Sequence, residues 1–147
     1  MTPIDPREEG FEGARTGRRE AAIADVLVVD DEPDLRATTV RILADAGYSV
    51  VACSNGREAL NYLASCGDRM PAVIVLDLMM PIMDGWQFCA EQRMDPRLTD
   101  IPVVVVSAVL DTAAAPPATR ANAYLEKPID PTELLEAVRT CCEPPRS

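Results

Sequence analysis

Residues 26–33 read Val26-Leu27-Val28-Val29-Asp30-Asp31-Glu32-Pro33. A short β-branched run broken off by two carboxylates reads as a strand buried on both faces of a parallel sheet. Pro33 suits the first turn of a helix, where its missing N–H would have no partner anyway. Leu35, Val40, Ile42, Leu43 and Ala46 give that helix an apolar side, and Gly47 ends it. Further on, Tyr48 to Cys53 predicts a second strand, Asn55-Gly56 a turn, and Ala59, Leu60 and Leu63 a second helix. Val73-Ile74-Val75-Leu76 predicts a third strand closed by Asp77, and Gly85 to about Met94 a third helix. Val103-Val104-Val105-Val106 predicts a fourth strand closed by Ser107, and Ala123 to Glu126 a short fifth closed by Lys127. Pro131 then opens a last helix carrying Leu134, Leu135 and Val138. Strands alternating with helices in this way predict a doubly wound α/β fold on a parallel sheet. Right-handed crossovers put its helices on both faces.

The chain of 147 residues suits one domain, and an apolar fraction of 48% suits a packed core. Residues 1–24 carry Pro3, Pro6, Gly10, Gly13 and Gly17 among mixed charges and predict a flexible tail; the domain is expected over 25–143, with 144–147 a second tail. A net charge of −10 with no basic stripe argues against direct nucleic-acid binding. Acidic clusters suit a hard cation such as Mg²⁺ instead. The five cysteines form no C-x-x-C pair, and no apolar run approaches the roughly 20 residues that span a bilayer, so a reduced cytoplasmic setting is expected without membrane insertion. With no histidine, Ser-His-Asp and Cys-His sites and a phosphohistidine acceptor are excluded.

In open parallel sheets, ligands bind at the carboxyl ends of the strands. Asp30-Asp31, Asp77, Ser107 and Lys127 each close a different strand at that edge, so three carboxylates, a hydroxyl and an ammonium are expected to converge. Lys127 is the single lysine beside thirteen arginines, and a compact ammonium serves a tight oxyanion pocket better than a planar guanidinium. Clustered carboxylates call for a cation among them, and one can act as a nucleophile toward phosphorus. Taken singly, a strand-end Asp or Ser is equally a helix cap or turn residue.

The runs Val28-Val29-Asp30-Asp31-Glu32-Pro33, Leu76-Asp77-Leu78-Met79-Met80-Pro81-Ile82-Met83-Asp84-Gly85, Val105-Val106-Ser107-Ala108 and Tyr124-Leu125-Glu126-Lys127-Pro128 together resemble the receiver domain of bacterial two-component response regulators. The resemblance covers about 25 to 143 and implies a flavodoxin-like (βα)5 sandwich with strand order 2-1-3-4-5. It implies Asp77 as phosphoacceptor, and Mg²⁺ on Asp31, Asp77 and the Met79 carbonyl, with Asp30 acting mainly through water. Ser107 and Lys127 would hold the phosphoryl oxygens, with Ser107 and Tyr124 as the switch pair. Pro128 would follow a cis peptide, and the small Ala108 would leave the site accessible. The implied partners are a sensor histidine kinase or phosphotransfer protein and a downstream protein target. Met79 is apolar where an acid/base would sit in a phosphohydrolase working through an aspartyl-phosphate; that argues against turnover and for a long-lived phosphoryl group. A module that signals without phosphate is the other alternative.

The chain departs from the family pattern at Val109 to Arg120, where Pro116-Pro117 falls in the expected fourth helix and predicts a short or distorted one, or else starts a late helical turn. Asn122 replaces the family's usual glycine before Ala123, and Asn tolerates the left-handed conformation that this position can require. The sequence given carries no output domain after Val138, so a stand-alone receiver is expected, with a piece of a longer protein as the alternative.

Overall fold

The structure is a computed structural model that describes residues 25–67, 70–78, 83, 85–108 and 121–142. Its elements run β1 (Asp25–Val29), α1 (Pro33–Asp45), β2 (Ser49–Cys53), α2 (Gly56–Ala64), β3 (Val73–Asp77), α3 (Gly85–Met94), β4 (Val103–Ser107), β5 (Ala123–Glu126) and α4 (Pro131–Cys142). The five strands form one parallel sheet in the order β2-β1-β3-β4-β5. The helix expected between β4 and β5, and the tails at 1–24 and 144–147, lie outside the described residues.

Successive side chains on a strand point to opposite faces, so each valine run feeds two cores. Leu27, Val29, Ile74, Leu76, Val103 and Val105 pack with Ala59, Tyr62, Leu63, Phe88 and Cys89 from α2 and α3. Val26, Val28, Val73, Val75, Val104 and Val106 pack on the other side with Leu43 of α1 and with Leu134 and Val138 of α4. Residues buried to this degree on both faces of a strand are what an all-parallel sheet demands.

Local chemistry sets the helix ends. Gly47, with φ 103, follows α1 and takes the left-handed conformation open to glycine. Its N–H donates to the Ala44 carbonyl at 3.0 Å, and the Tyr48 N–H donates to the Leu43 carbonyl at 3.1 Å. That pair of bonds is a Schellman cap, and Tyr48 and Leu43 share the same core cluster beside it. Tyr48 therefore belongs to the helix stop, and β2 starts at Ser49. Asn55-Gly56 is no free turn: Asn55 caps α2, its Oδ1 accepting the Glu58 N–H at 2.8 Å. The Glu58 carboxylate reaches back to the Ser54 N–H and hydroxyl, both at 3.1 Å. Asp130 serves α4 similarly, accepting from the Thr132 and Glu133 N–H groups at 2.8 and 3.3 Å.

Candidate functional site

Register brings the strand ends level. Val29 pairs with Leu76, Asp77 with Val106, and Ser107 with Glu126, so Asp30, Asp77, Ser107 and Lys127 all lie at the carboxyl edge. Backbone bonds hold this edge past the ladders: Asp30 N–H to Cys53 O at 3.0 Å, Leu78 N–H to Val106 O at 3.2 Å, and Lys127 N–H to Ser107 O at 2.8 Å. The Asp30 Oδ1 accepts the Glu32 N–H at 2.9 Å, fixing the turn between β1 and α1.

The acidic side chains meet as expected. Asp30, Asp31 and Asp77 each place a carboxylate oxygen within 4.8 Å of the others. Asp30 and Asp77 are 5% and 4% exposed, whereas Asp31 faces solvent. The Lys127 Nζ stands 3.4 Å from Asp77 Oδ1 and 3.8 Å from Asp30 Oδ2. A cavity of about 470 Å³ opens here, lined by Asp31, Glu32, Pro33, Asp77, Ala108 and Lys127. Ser107 is buried at the end of β4 and is not part of that lining. Tyr124, half-buried on β5, packs against the α2/α3 core, and its hydroxyl accepts the Ala121 N–H at 3.2 Å. The Lys127–Pro128 peptide is cis. Met79 lies outside the described residues.

Two buried carboxylates beside a third are costly without compensating charge, and one ammonium offsets only part of it. The set is all oxygen, closely grouped and open on one side, which fits a hard divalent cation such as Mg²⁺. Chemically, the arrangement offers a carboxylate nucleophile beside a fixed ammonium, with a solvent-open approach.

Residues 26–139 match the response regulator receiver domain. The chain belongs to that family. The response regulator MprA of Mycolicibacterium vanbaalenii is 41% identical over 117 residues, covering 78% of this chain and 48% of the relative. The chain spans about half the length of this and other curated relatives. Among solved structures, the chemotaxis protein CheY4 of Vibrio cholerae superposes with a TM-score of 0.72 at 32% identity, covering 82% of this chain and 99% of that one. The phosphorylated cyanobacterial phytochrome response regulator RcpA gives 0.67 at 28% identity, covering 81% and 91%. Receiver domains of this family are phosphorylatable signalling domains rather than conventional enzymes. No helix among the described residues is long and apolar enough to cross a membrane.

Arg36 and Gln92 of this receiver escape a reading of the sequence, and Asn122, singled out there only for its backbone freedom, has a pairing role. Arg36 is buried and donates from Nη1 to the Asp30 carbonyl at 2.9 Å. Gln92 is buried and donates from Nε2 to the carbonyls of Leu98 and Ile101 at 2.8 and 2.9 Å, shaping the approach to β4. Asn122 pairs with Val103 twice, through its own N–H at 2.8 Å and through Oδ1 at 3.0 Å, which starts the β4–β5 ladder. The apolar stripe of α1 gives one weak signal, since Arg36 and Thr39 stand with Leu43 on its buried side. Thr39 meets that burial locally by donating to the Leu35 carbonyl at 2.9 Å.

Proposed function

We propose that Asp77 accepts a phosphoryl group from the phosphohistidine of a partner histidine kinase or phosphotransfer protein. One observation carries the reading: the buried Asp77 carboxylate lies 3.4 Å from the chain's single lysine ammonium, within the acidic group at an open cavity. In the transfer, an Asp77 oxygen forms the new P–O bond while the P–N bond to the donor imidazole breaks. The electron pair of that bond stays on the imidazole nitrogen, which takes up a proton. Little covalent chemistry is needed beyond positioning and charge neutralisation. Lys127 neutralises one phosphoryl oxygen, and the Ser107 hydroxyl donates to another after moving toward the site. Tyr124 then turns inward, a local change that biases a two-state surface toward a downstream protein target.

Asp30, Asp31, Asp77 and the Met79 carbonyl would hold Mg²⁺, Asp30 mainly through water. When bound, the ion supplies positive charge to the transferring group. The phosphorylated state of the related RcpA supports the reading of this receiver as a phosphoacceptor. We place the functional unit at 25–143 in the cytoplasm, without direct nucleic-acid contact or membrane insertion; the five free cysteines agree with a reducing compartment.

Acetyl phosphate with Mg²⁺ is expected to add one phosphoryl group to the intact mass of the wild type and none to Asp77→Ala. A gain retained in Asp77→Ala sinks the assignment. So does no gain from either this donor or a phosphohistidine protein.

A further inference from the structure

We propose that Arg36 is a positioning residue for the acidic pocket, holding the Asp30–Asp31 turn from inside the fold. The inference rests on the reading above that these carboxylates hold Mg²⁺. Both ladders of β1 end at Val29, paired with Cys53 on one side and Leu76 on the other. The next backbone N–H, of Asp30, still finds the Cys53 carbonyl. The Asp30 carbonyl has passed the last ladder pair, and a buried carbonyl needs a donor. Arg36, at the end of the first turn of α1, reaches back and supplies it at 2.9 Å.

The remaining groups of Asp30 are also engaged. Its Oδ1 accepts from Glu32, and its Oδ2 faces Lys127. Asp30 is thus gripped at backbone and side chain, and Arg36 is the grip that comes from α1. Burying a guanidinium is expensive, and Arg36 is only 8% exposed. A leucine there would pack on the sheet at less cost, as Leu43 does seven residues on, but it would leave the Asp30 carbonyl without that donor.

Charge and position predict opposite signs. Removing a nearby cation should tighten Mg²⁺ binding if Arg36 acts only through its field. Removing a strut behind the ligands should weaken it, as loss of outer-shell partners does. Calorimetric titration with Mg²⁺ alone on wild type, Arg36→Gln and Arg36→Lys separates these. The expected result is an affinity lower by about tenfold or more in Arg36→Gln. Arg36→Lys should fall between, because an ammonium donates without the guanidinium's fixed fork. The Mg²⁺ concentration for half-maximal phosphorylation by acetyl phosphate should rise in parallel, with the rate at saturating Mg²⁺ near that of the wild type. Wild-type or tighter affinity in either folded variant overturns the proposal. Should Arg36→Gln fail to fold, Arg36→Lys decides alone. A wild type that binds no Mg²⁺ would defeat the underlying site reading instead, a distinguishable result.

Discussion

A methyl group built on Gly85 would stand 2.7 Å from Leu78 Cδ2, 2.8 Å from Leu78 Cα and 3.0 Å from the Asp77 carbonyl oxygen. Two of those atoms are backbone, so no side-chain rotation relieves the contact. The Gly85 N–H meanwhile donates to the Leu78 carbonyl at 2.9 Å, pinning the start of α3 to the end of β3. Gly85→Ala is therefore expected to lower stability by about 1–3 kcal/mol through overpacking. Because the displaced backbone carries Asp77, phosphorylation should slow as well. Urea unfolding and the acetyl phosphate assay check the two effects, and unchanged stability would show that the helix start yields freely. At this scale the polar carboxyl edge of the sheet was legible because Asp30, Asp31, Asp77, Ser107 and Lys127 each interrupt or follow an apolar run. Arg36 and Gln92 were not, because their partners are backbone carbonyls of Asp30, Leu98 and Ile101. No pattern of side chains encodes where a carbonyl is left over.

Helices α1 and α2 show why element ends read unevenly. Gly47 announced the end of α1 because few other residues accept φ 103. Gly47→Ala should cost about 1–2 kcal/mol, the penalty of a left-handed conformation for an L residue. The loss should appear as a lower urea midpoint with an unchanged denaturant slope. A midpoint equal to wild type would mean that the Schellman bonds from Gly47 and Tyr48 are dispensable. Asn55-Gly56 misled because the residue that favours a turn also caps a helix. What decides is Glu58 three positions on, whose N–H binds Asn55 while its carboxylate binds Ser54. Tyr48 was drawn into β2 for a related reason: an aromatic beside a valine run looks like strand, but its N–H closes the helix.

The whole sheet was readable because burial on both faces leaves little choice of residue, and the valine runs meet that demand. The same two-sided burial carries a consequence at high pH. Cys53 ends β2 inside the α2/α3 core and is 1% exposed. Burial pushes its thiol far above the ordinary 9.0; Glu58 and Cys66 add to the rise, and Arg36 opposes it. Below that ordinary value both folded and unfolded chains keep the proton, so the full stability is present. Above it the unfolded chain releases the proton and the folded chain does not, so stability falls as pH rises. One such thiol gives a slope of about 1.4 kcal/mol per pH unit. Cys142, pushed up to about 11 by burial and then by Cys141, adds a weaker loss between the ordinary 9.0 and that value, being half-exposed on α4. Other groups titrate in this range, so the informative quantity is a difference between two proteins. Urea unfolding from about pH 8 to about 10.5 should give Cys53→Ala a lower stability at the start, from the lost packing. Its decline should then be shallower than wild type by close to one proton's slope. Parallel declines would mean that the Cys53 thiol reaches solvent in the folded chain, and that the core beneath the acidic pocket is open on this side.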